Sequence, residues 1–108
     1  MSEKKELSEK VQLLTDPYAK SILVGCFNNP MTAQEISWEF NIPIAATYRR
    51  IRDLQEAGLV KNIENNRTGK GKKASLYKTS LEKAVLTFED GKFKVKLDLG
   101  EEEIESEL

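Results

Sequence analysis

Arg49, Arg50 and Arg52 stand almost side by side. A second basic group, Arg67, Lys70, Lys72 and Lys73, follows with no acid between residues 67 and 73. A guanidinium presents a planar fork of donors that fits a phosphate or the O6/N7 edge of guanine, and a lysine serves phosphate as a point charge. This is chemistry of binding rather than of bond making. The chain has no histidine and one cysteine, Cys26. Ser–His–Asp and Cys–His nucleophile systems are therefore excluded, and a thiolate or imidazole metal site within one chain is nearly so. No phosphate-cradling glycine motif and no paired carboxylates in a cleft-like context support catalysis. The residues thus predict a non-enzyme without cofactor or metal.

The formal net charge of −1 over 108 residues hides a segregation. Residues 40–83 hold ten bases and four acids, whereas residues 98–108 hold six acids and no base. A basic middle suits a polyanion, and an acidic block at a chain end is usually solvated. One cysteine leaves no internal disulfide and fits a reducing, cytoplasmic setting. No apolar run approaches the ~20 residues of a membrane span, and the first residues lack the apolar stretch of a secretory signal. The expectation is a cytoplasmic protein with no membrane partner.

The basic residues need elements to present them. Leu7, Val11 and Leu14 recur at helical spacing among charges, predicting a short amphipathic helix over 1–14. Asp16 is placed to cap the next helix, with Pro17 in its first turn and Ile22, Leu23, Cys26 and Phe27 along it. Asn28-Asn29-Pro30 ends it. Thr32 and Glu35 have the spacing of a capping box, followed by Ile36 and Phe40 with Trp38 to one side. Asn41-Ile42-Pro43 breaks the pattern. A helix over 43–57 follows, in which Ile44, Thr47, Ile51 and Leu54 cluster within about 80° on a helical wheel. Arg49 lies opposite that cluster, with Ala45 and Arg52 near it and Tyr48 and Arg50 at the edges. Gly58 is its natural stop.

Two helices joined by a short turn suggest a helix-turn-helix whose second member enters a major groove about 12 Å wide. Ile44, Thr47, Ile51 and Leu54 supply its back; Arg49, Ala45, Ala46 and Arg52 supply its front. Strand patterns follow. Leu59–Glu64 and Ala74–Lys78 read as a hairpin around a polar, basic tip. Asp90-Gly91 is a two-residue turn signal. It sets a second register, with Phe88 opposite Phe93, Leu86 opposite Val95 and Ala84 opposite Leu97. The apolar face of that hairpin must pack on something. Residues 100–108 are expected to trail off as an acidic tail, disordered or weakly helical.

Thr32-Ala33-Gln34-Glu35-Ile36, then Ile42 through Val60, together with Leu14-Thr15-Asp16-Pro17-Tyr18 upstream, resemble a winged helix-turn-helix of the ArsR/MarR kind. Tyr48-Arg49-Arg50-Ile51 is similar to archaeal members. The resemblance spans residues 14–78. It implies an α+β fold with N-terminal helices and a DNA-binding domain over 15–80 with a β-hairpin wing; the additional C-terminal β-hairpin over 81–99, read from its own pattern, stands where the family often has a dimerisation helix. It also implies a homodimeric transcriptional regulator bound to double-stranded operator DNA, its effector unknown. Thr32, Pro43, Ile44, Ala45, Ala46, Tyr48, Arg49, Arg50 and Arg52 would be groove and backbone elements. The wing over 65–73 would add Arg67, Lys70, Lys72 and Lys73. The aligned region lacks the Cys-x-Cys ligand pair of metal-sensing members. Ile44-Ala45-Ala46 replaces the usual polar start of the recognition helix, which shifts weight toward shape readout and phosphate contacts.

Other residues carry plainer expectations. Trp38 reads as core packing and Cys26 as a small core residue. Leu7, Val11 and Leu14 form either an intrachain stripe or a dimer seam, the seam being favoured. The alternative function is a winged-helix protein-interaction module using the basic face and the C-terminal hairpin.

Overall fold

The computed structural model describes residues 3–65 and 74–108. Four helices come first: α1 (Glu3–Thr15), α2 (Pro17–Asn28), α3 (Ala33–Phe40) and α4 (Ile44–Glu56). Five strands follow: β1 (Val60–Asn65), β2 (Ala74–Thr79), β3 (Lys83–Glu89), β4 (Lys92–Asp98) and β5 (Glu103–Glu107). β1 and β2 form a two-stranded antiparallel sheet, and β3-β4-β5 form a three-stranded one. This is an α+β winged helix-turn-helix with an appended sheet.

The helix boundaries come from the caps that the sequence announces. Asp16 accepts from the Ala19 amide at 2.9 Å, and Pro17 opens α2. Thr32 and Glu35 close a full capping box: the Glu35 amide donates to Thr32 Oγ1 at 3.1 Å, and the Thr32 amide donates to Glu35 Oε1 at 2.9 Å. Asn41 takes the left-handed conformation (φ 54°) that ends α3, and Ser37 Oγ donates to the Ile42 carbonyl at 2.6 Å. Gly58, at φ 79°, lets the Leu59 amide return to the Leu54 carbonyl, so the chain leaves α4 directly into β1.

One core holds the helix-turn-helix together. Ala19, Ile22, Leu23 and Cys26 of α2 meet Ala33 and Ile36 of α3, Ile51 and Leu54 of α4, and Leu59, Val60 and Tyr77. The β1–β2 hairpin is locked onto it at two points. Met31, just before α3, exchanges both backbone hydrogen bonds with Tyr77. Thr79 Oγ1 donates to the Leu23 carbonyl at 2.7 Å in a buried position. The hairpin therefore cannot swing independently of α2 and α3.

A second, smaller core sits under the appended sheet. Leu7 of α1 is 3% exposed and packs with Val95 and Leu97, edged by Val11, Leu14, Leu81 and Ile104. The α1 stripe of Leu7, Val11 and Leu14 is thus turned toward this chain's own sheet, the intrachain one of the two alternatives expected for it. An exposed apolar sheet face in the same chain is a nearer partner than a second molecule. The second hairpin follows the expected register in all seven pairs, turning at Asp90 and Gly91, both at positive φ.

The end of the chain also departs from expectation. Residues 103–107 are a strand, not a solvated tail or helix. β5 pairs with β4 so that Lys96 lies beside Glu105 and Lys94 beside Glu107. Lys96–Glu103 and Lys92–Glu107 approach to 3.6 and 3.9 Å. The alternating lysines of β4 offset the alternating glutamates that would otherwise repel one another. Trp38 is corrected as well: it is 89% exposed. It follows Ile36 by two positions, about 200° around the helix, which puts it opposite the buried stripe.

Leu7→Ala should lower the unfolding free energy by about 2–4 kcal/mol, the usual cost of truncating a buried leucine. Urea unfolding at two protein concentrations checks this. The loss should be the same at both, whereas a loss that changes on dilution would return Leu7 to an intermolecular seam.

Candidate nucleic-acid interface

The surface that matters is the outer face of α4. Thr47, Ile51 and Leu54 are buried, so the helix is fixed by its back. Thr47 is a polar residue in that back, but it is satisfied: its hydroxyl donates to the Pro43 carbonyl at 3.1 Å. Ala45, Arg49 and Arg52 are exposed. They follow at spacings of four and three residues, hence on one face. Among the described residues neither Arg49 nor Arg52 makes an ion pair. Small Ala45 beside two free guanidinium groups leaves room for close approach to a base edge or phosphate.

Two members of the expected front and back change places. Ile44, expected in the back, is exposed, as is its neighbour Pro43, the N-cap of α4. Ala46, expected in front, is half-buried and packs against the core. At the first turn of α4 the buried side is thus carried by Ala46 and Thr47 and not by Ile44. Tyr48 is exposed at the edge of the face. Thr32 is half-buried at the N-terminus of α3, its hydroxyl engaged in the capping box. Arg67, Lys70, Lys72 and Lys73 lie outside the described residues.

Arg50 is committed elsewhere. Its Nε donates to Asp16 Oδ2 at 2.9 Å and its Nη2 to Oδ1 at 3.3 Å. The guanidinium lies 5.8 Å from the centre of the Tyr18 ring. Both side chains of the pair are about a quarter exposed, at 26% each. The hydrogen bond from Arg50 holds the Asp16 carboxyl below its ordinary 3.8, against the desolvation that would raise it. The same bond raises the Arg50 pKa. Asp53 and Glu56 stand nearer to Arg50 in sequence, yet its partner is Asp16, the cap of α2. Nothing in the sequence signals a contact between residues 16 and 50 beyond the open valences of a capping carboxylate.

The remaining chemistry is quiet. Burial pushes the Cys26 thiol up to about 11, which leaves it a packing group rather than a nucleophile. Among the described residues no cluster of three or more His, Cys, Asp or Glu could hold a metal ion. Nor is any helix among them long and apolar enough to cross a membrane.

A helix with a buried back and an arginine front, preceded by a capped helix and followed by a hairpin anchored at Met31 and Leu23, is the arrangement of winged helix-turn-helix proteins. The model of the TrmB family, described as sugar-specific transcriptional regulator TrmB, matches residues 21–80, more than half of the chain. The chain belongs to that family. It is therefore a member of a family of transcriptional regulators, which implies DNA binding and is not an enzyme class. The resemblance to the ArsR/MarR kind is carried by the winged helix-turn-helix alone; the family found is TrmB. No curated protein matches the chain.

Asp16→Asn should cost about 1–2 kcal/mol at neutral pH, since a charge-assisted pair becomes a neutral one. The Asp16 pKa is depressed on folding, so this contribution is full above the unfolded value and is lost as pH falls through the folded one. The stability gap between wild type and variant should be constant above pH ~5 and close below pH ~4. Urea unfolding across that range checks it; a gap independent of pH would mean the pair contributes nothing.

Proposed function

We propose that this chain is a dimeric, sequence-specific double-stranded DNA-binding transcriptional regulator, with residues 43–57 in the major groove. The observation that carries the reading is the free arginine face of α4, with Arg49 and Arg52 exposed beside Ala45 and a back fixed by Thr47, Ile51 and Leu54. Arg49 is the residue best placed to read a base edge bidentately, and Arg52 to meet a phosphate. Ile44 and Ala45 offer apolar contacts to thymine methyl groups, and Pro43, Ala46 and Tyr48 line the approach. Thr32 brings the N-terminus of α3 to the backbone. Arg67, Lys70, Lys72 and Lys73, in the wing over 65–73, contact the backbone or minor groove. Arg50 contributes by holding α4 in place rather than by touching DNA. A two-fold dimer would set its two recognition helices roughly 34 Å apart, one turn of duplex. The protein would act in the cytoplasm, with no cofactor.

Fluorescence-anisotropy titration with genomic duplex fragments at two salt concentrations, with a sizing run on the same sample, tests this. Salt-sensitive binding by a species of dimer mass supports the reading; absence of binding at low salt overturns it. On the selected operator, Arg49→Ala should cost about 1–3 kcal/mol and relax sequence preference at one position of each half-site. Arg52→Ala should weaken all sequences alike and lower the salt slope by about one.

A further inference from the structure

The three-stranded sheet is covered on one half only. α1 lies over the side made by Val95, Leu97 and Ile104, and no residue of β3 belongs to that core. On the same face β3 carries Ala84, Leu86 and Phe88. Leu86 is 56% exposed and Phe88 64%, and Phe93, stacked on Phe88 at a ring-centre distance of 4.7 Å, is 51% exposed. β3 is also an outer strand of its sheet. It has a bare face and a bare edge together.

The two edges of this sheet are not alike. β5, on one side, carries Glu103, Glu105 and Glu107 on a single face, so a second β5 brought beside it would meet like charge. β3, on the other side, has no proline, no bulge in its pairing and no charge between Lys83 and Glu89. Those are the devices that normally block edge-to-edge pairing, and β3 lacks them along its whole middle.

The sequence of β3 is complementary to itself when reversed. Antiparallel pairing of two β3 strands centred on Leu86 sets Leu86 opposite Leu86, Ala84 opposite Phe88, Val85 opposite Thr87 and Lys83 opposite Glu89. Both ends then carry an opposite-charge pair, and Ala84, Leu86 and Phe88 stay together on the apolar face. The backbone agrees. Asp90 and Gly91, at φ 54° and 73°, make a two-residue turn of the I′ kind, so Glu89 and Lys92 exchange their backbone bonds. The odd-numbered residues of β3 thus bond to β4. The N–H and C=O groups of Ala84, Leu86 and Phe88 point out from the free edge, as a two-fold ladder centred on Leu86 requires. Ala84 also lines an apolar groove with Val24, Phe27 and Leu81. A partner Phe88 set opposite Ala84 stands at the mouth of that groove.

We propose that a second copy of this chain docks on the β3 edge, pairing β3 with β3 antiparallel about Leu86 to build a six-stranded sheet. This rests on the dimeric reading above and names its interface. Leu86, Phe88, Phe93, Val24 and Phe27 leave on the order of 500 Å² of apolar surface open per copy, taking ~200 Å² for a large aromatic side chain. A standard interface buries ~800 Å² per partner. The edge backbone and the Lys83 and Glu89 side chains supply the remainder.

Cysteine cross-linking of the full chain tests the proposal. In this register the two copies of residue 86 sit ~5.5 Å apart, within disulfide reach. The two copies of residue 87 are diagonal at ~7–8 Å, and their side chains lie on the other face. Cys26 is buried and does not compete. Under mild oxidation, Leu86→Cys should run mainly as a disulfide-linked dimer and Thr87→Cys about tenfold less so. Lys83→Glu should weaken the dimer in sizing runs, and adding Glu89→Lys should restore it, with circular dichroism confirming that each variant folds. A dimer that does not cross-link through Leu86→Cys, or cross-links equally through both variants, overturns the β3 interface and leaves the dimer standing on another surface. A chain that stays monomeric overturns both the interface and the dimer. Salt-sensitive DNA binding by that monomer would still stand by itself.

Discussion

One carboxylate ties the middle of α4 to the start of α2 and adds a polar restraint to the apolar back of the helix. Asp16 accepts the Ala19 amide that opens α2 and both donors of Arg50 from the middle of α4. A capping side chain has spare lone pairs, and here they reach across to a second helix. The Tyr18 ring beside Arg50 shields one side of the pair. The consequence for the neighbouring arginine is geometric. Arg49 and Arg50 are ~100° apart on the helix, so when Arg50 is drawn inward toward α2, Arg49 must point out. Two adjacent residues of the same type thereby take opposite roles, one setting the helix and one left for a ligand. Had both faced solvent, nothing polar would hold α4 against rotation about its apolar back.

What could be read in the sequence was what is local. The Thr32–Glu35 capping box, the Asp16-Pro17 start, the Gly58 stop and the Asp90-Gly91 register all depend on residues a few positions apart, and each is found as read. The winged helix-turn-helix followed from their order. The long-range pairings were not legible. Asp16–Arg50 and Met31–Tyr77 join residues far apart in sequence and have no local signature. Trp38 is different, because a wheel drawn from Ile36 would have shown it facing outward; its size suggested core and prevailed over its angle. β5 was legible too. Glu103, Glu105 and Glu107 alternate with Ile104 and Ser106 at the strand period, matching the alternation of Lys92, Lys94 and Lys96. Six acids with no base have the composition of a solvated tail, and the lysines that pair with them lie on another strand. Of the candidate site, Arg49, Arg52, Ala45 and Tyr48 lie on the face expected for them, while Ala46 and Arg50 are turned to the protein's own packing.

The two cores divide the molecule along the same line as the family match. The matched residues, 21–80, contain most of the first core. α1 and the β3–β4–β5 sheet make the second and lie outside the match. Leu14 and Leu81 touch both cores, one at the end of α1 and one at the entry to β3. Leu13 of α1 and Leu99 after β4 pack on the first core as well. The appended sheet is therefore positioned both by its own helix and by leucines seated on the winged helix.

The charge segregation seen in the sequence now has a structural reason. The glutamates of β5 are matched by the lysines of β4 across a strand pair, so half of the six acids in residues 98–108 face opposite charge within their own sheet. Among the described residues, only a weak approach of 4.0 Å, between Lys61 and Glu101, carries an acid of that region toward the β1–β2 hairpin. Exposed charges further apart than ~8 Å are screened at physiological salt. The outer face of α4 presents Arg49 and Arg52 exposed although the net charge of the chain is −1. The net charge says little about the partner because the acids are spent locally. The potential that an approaching polyanion meets is set by the residues within a Debye length of α4, and there Arg49 and Arg52 stand without an ion-pair partner among the described residues.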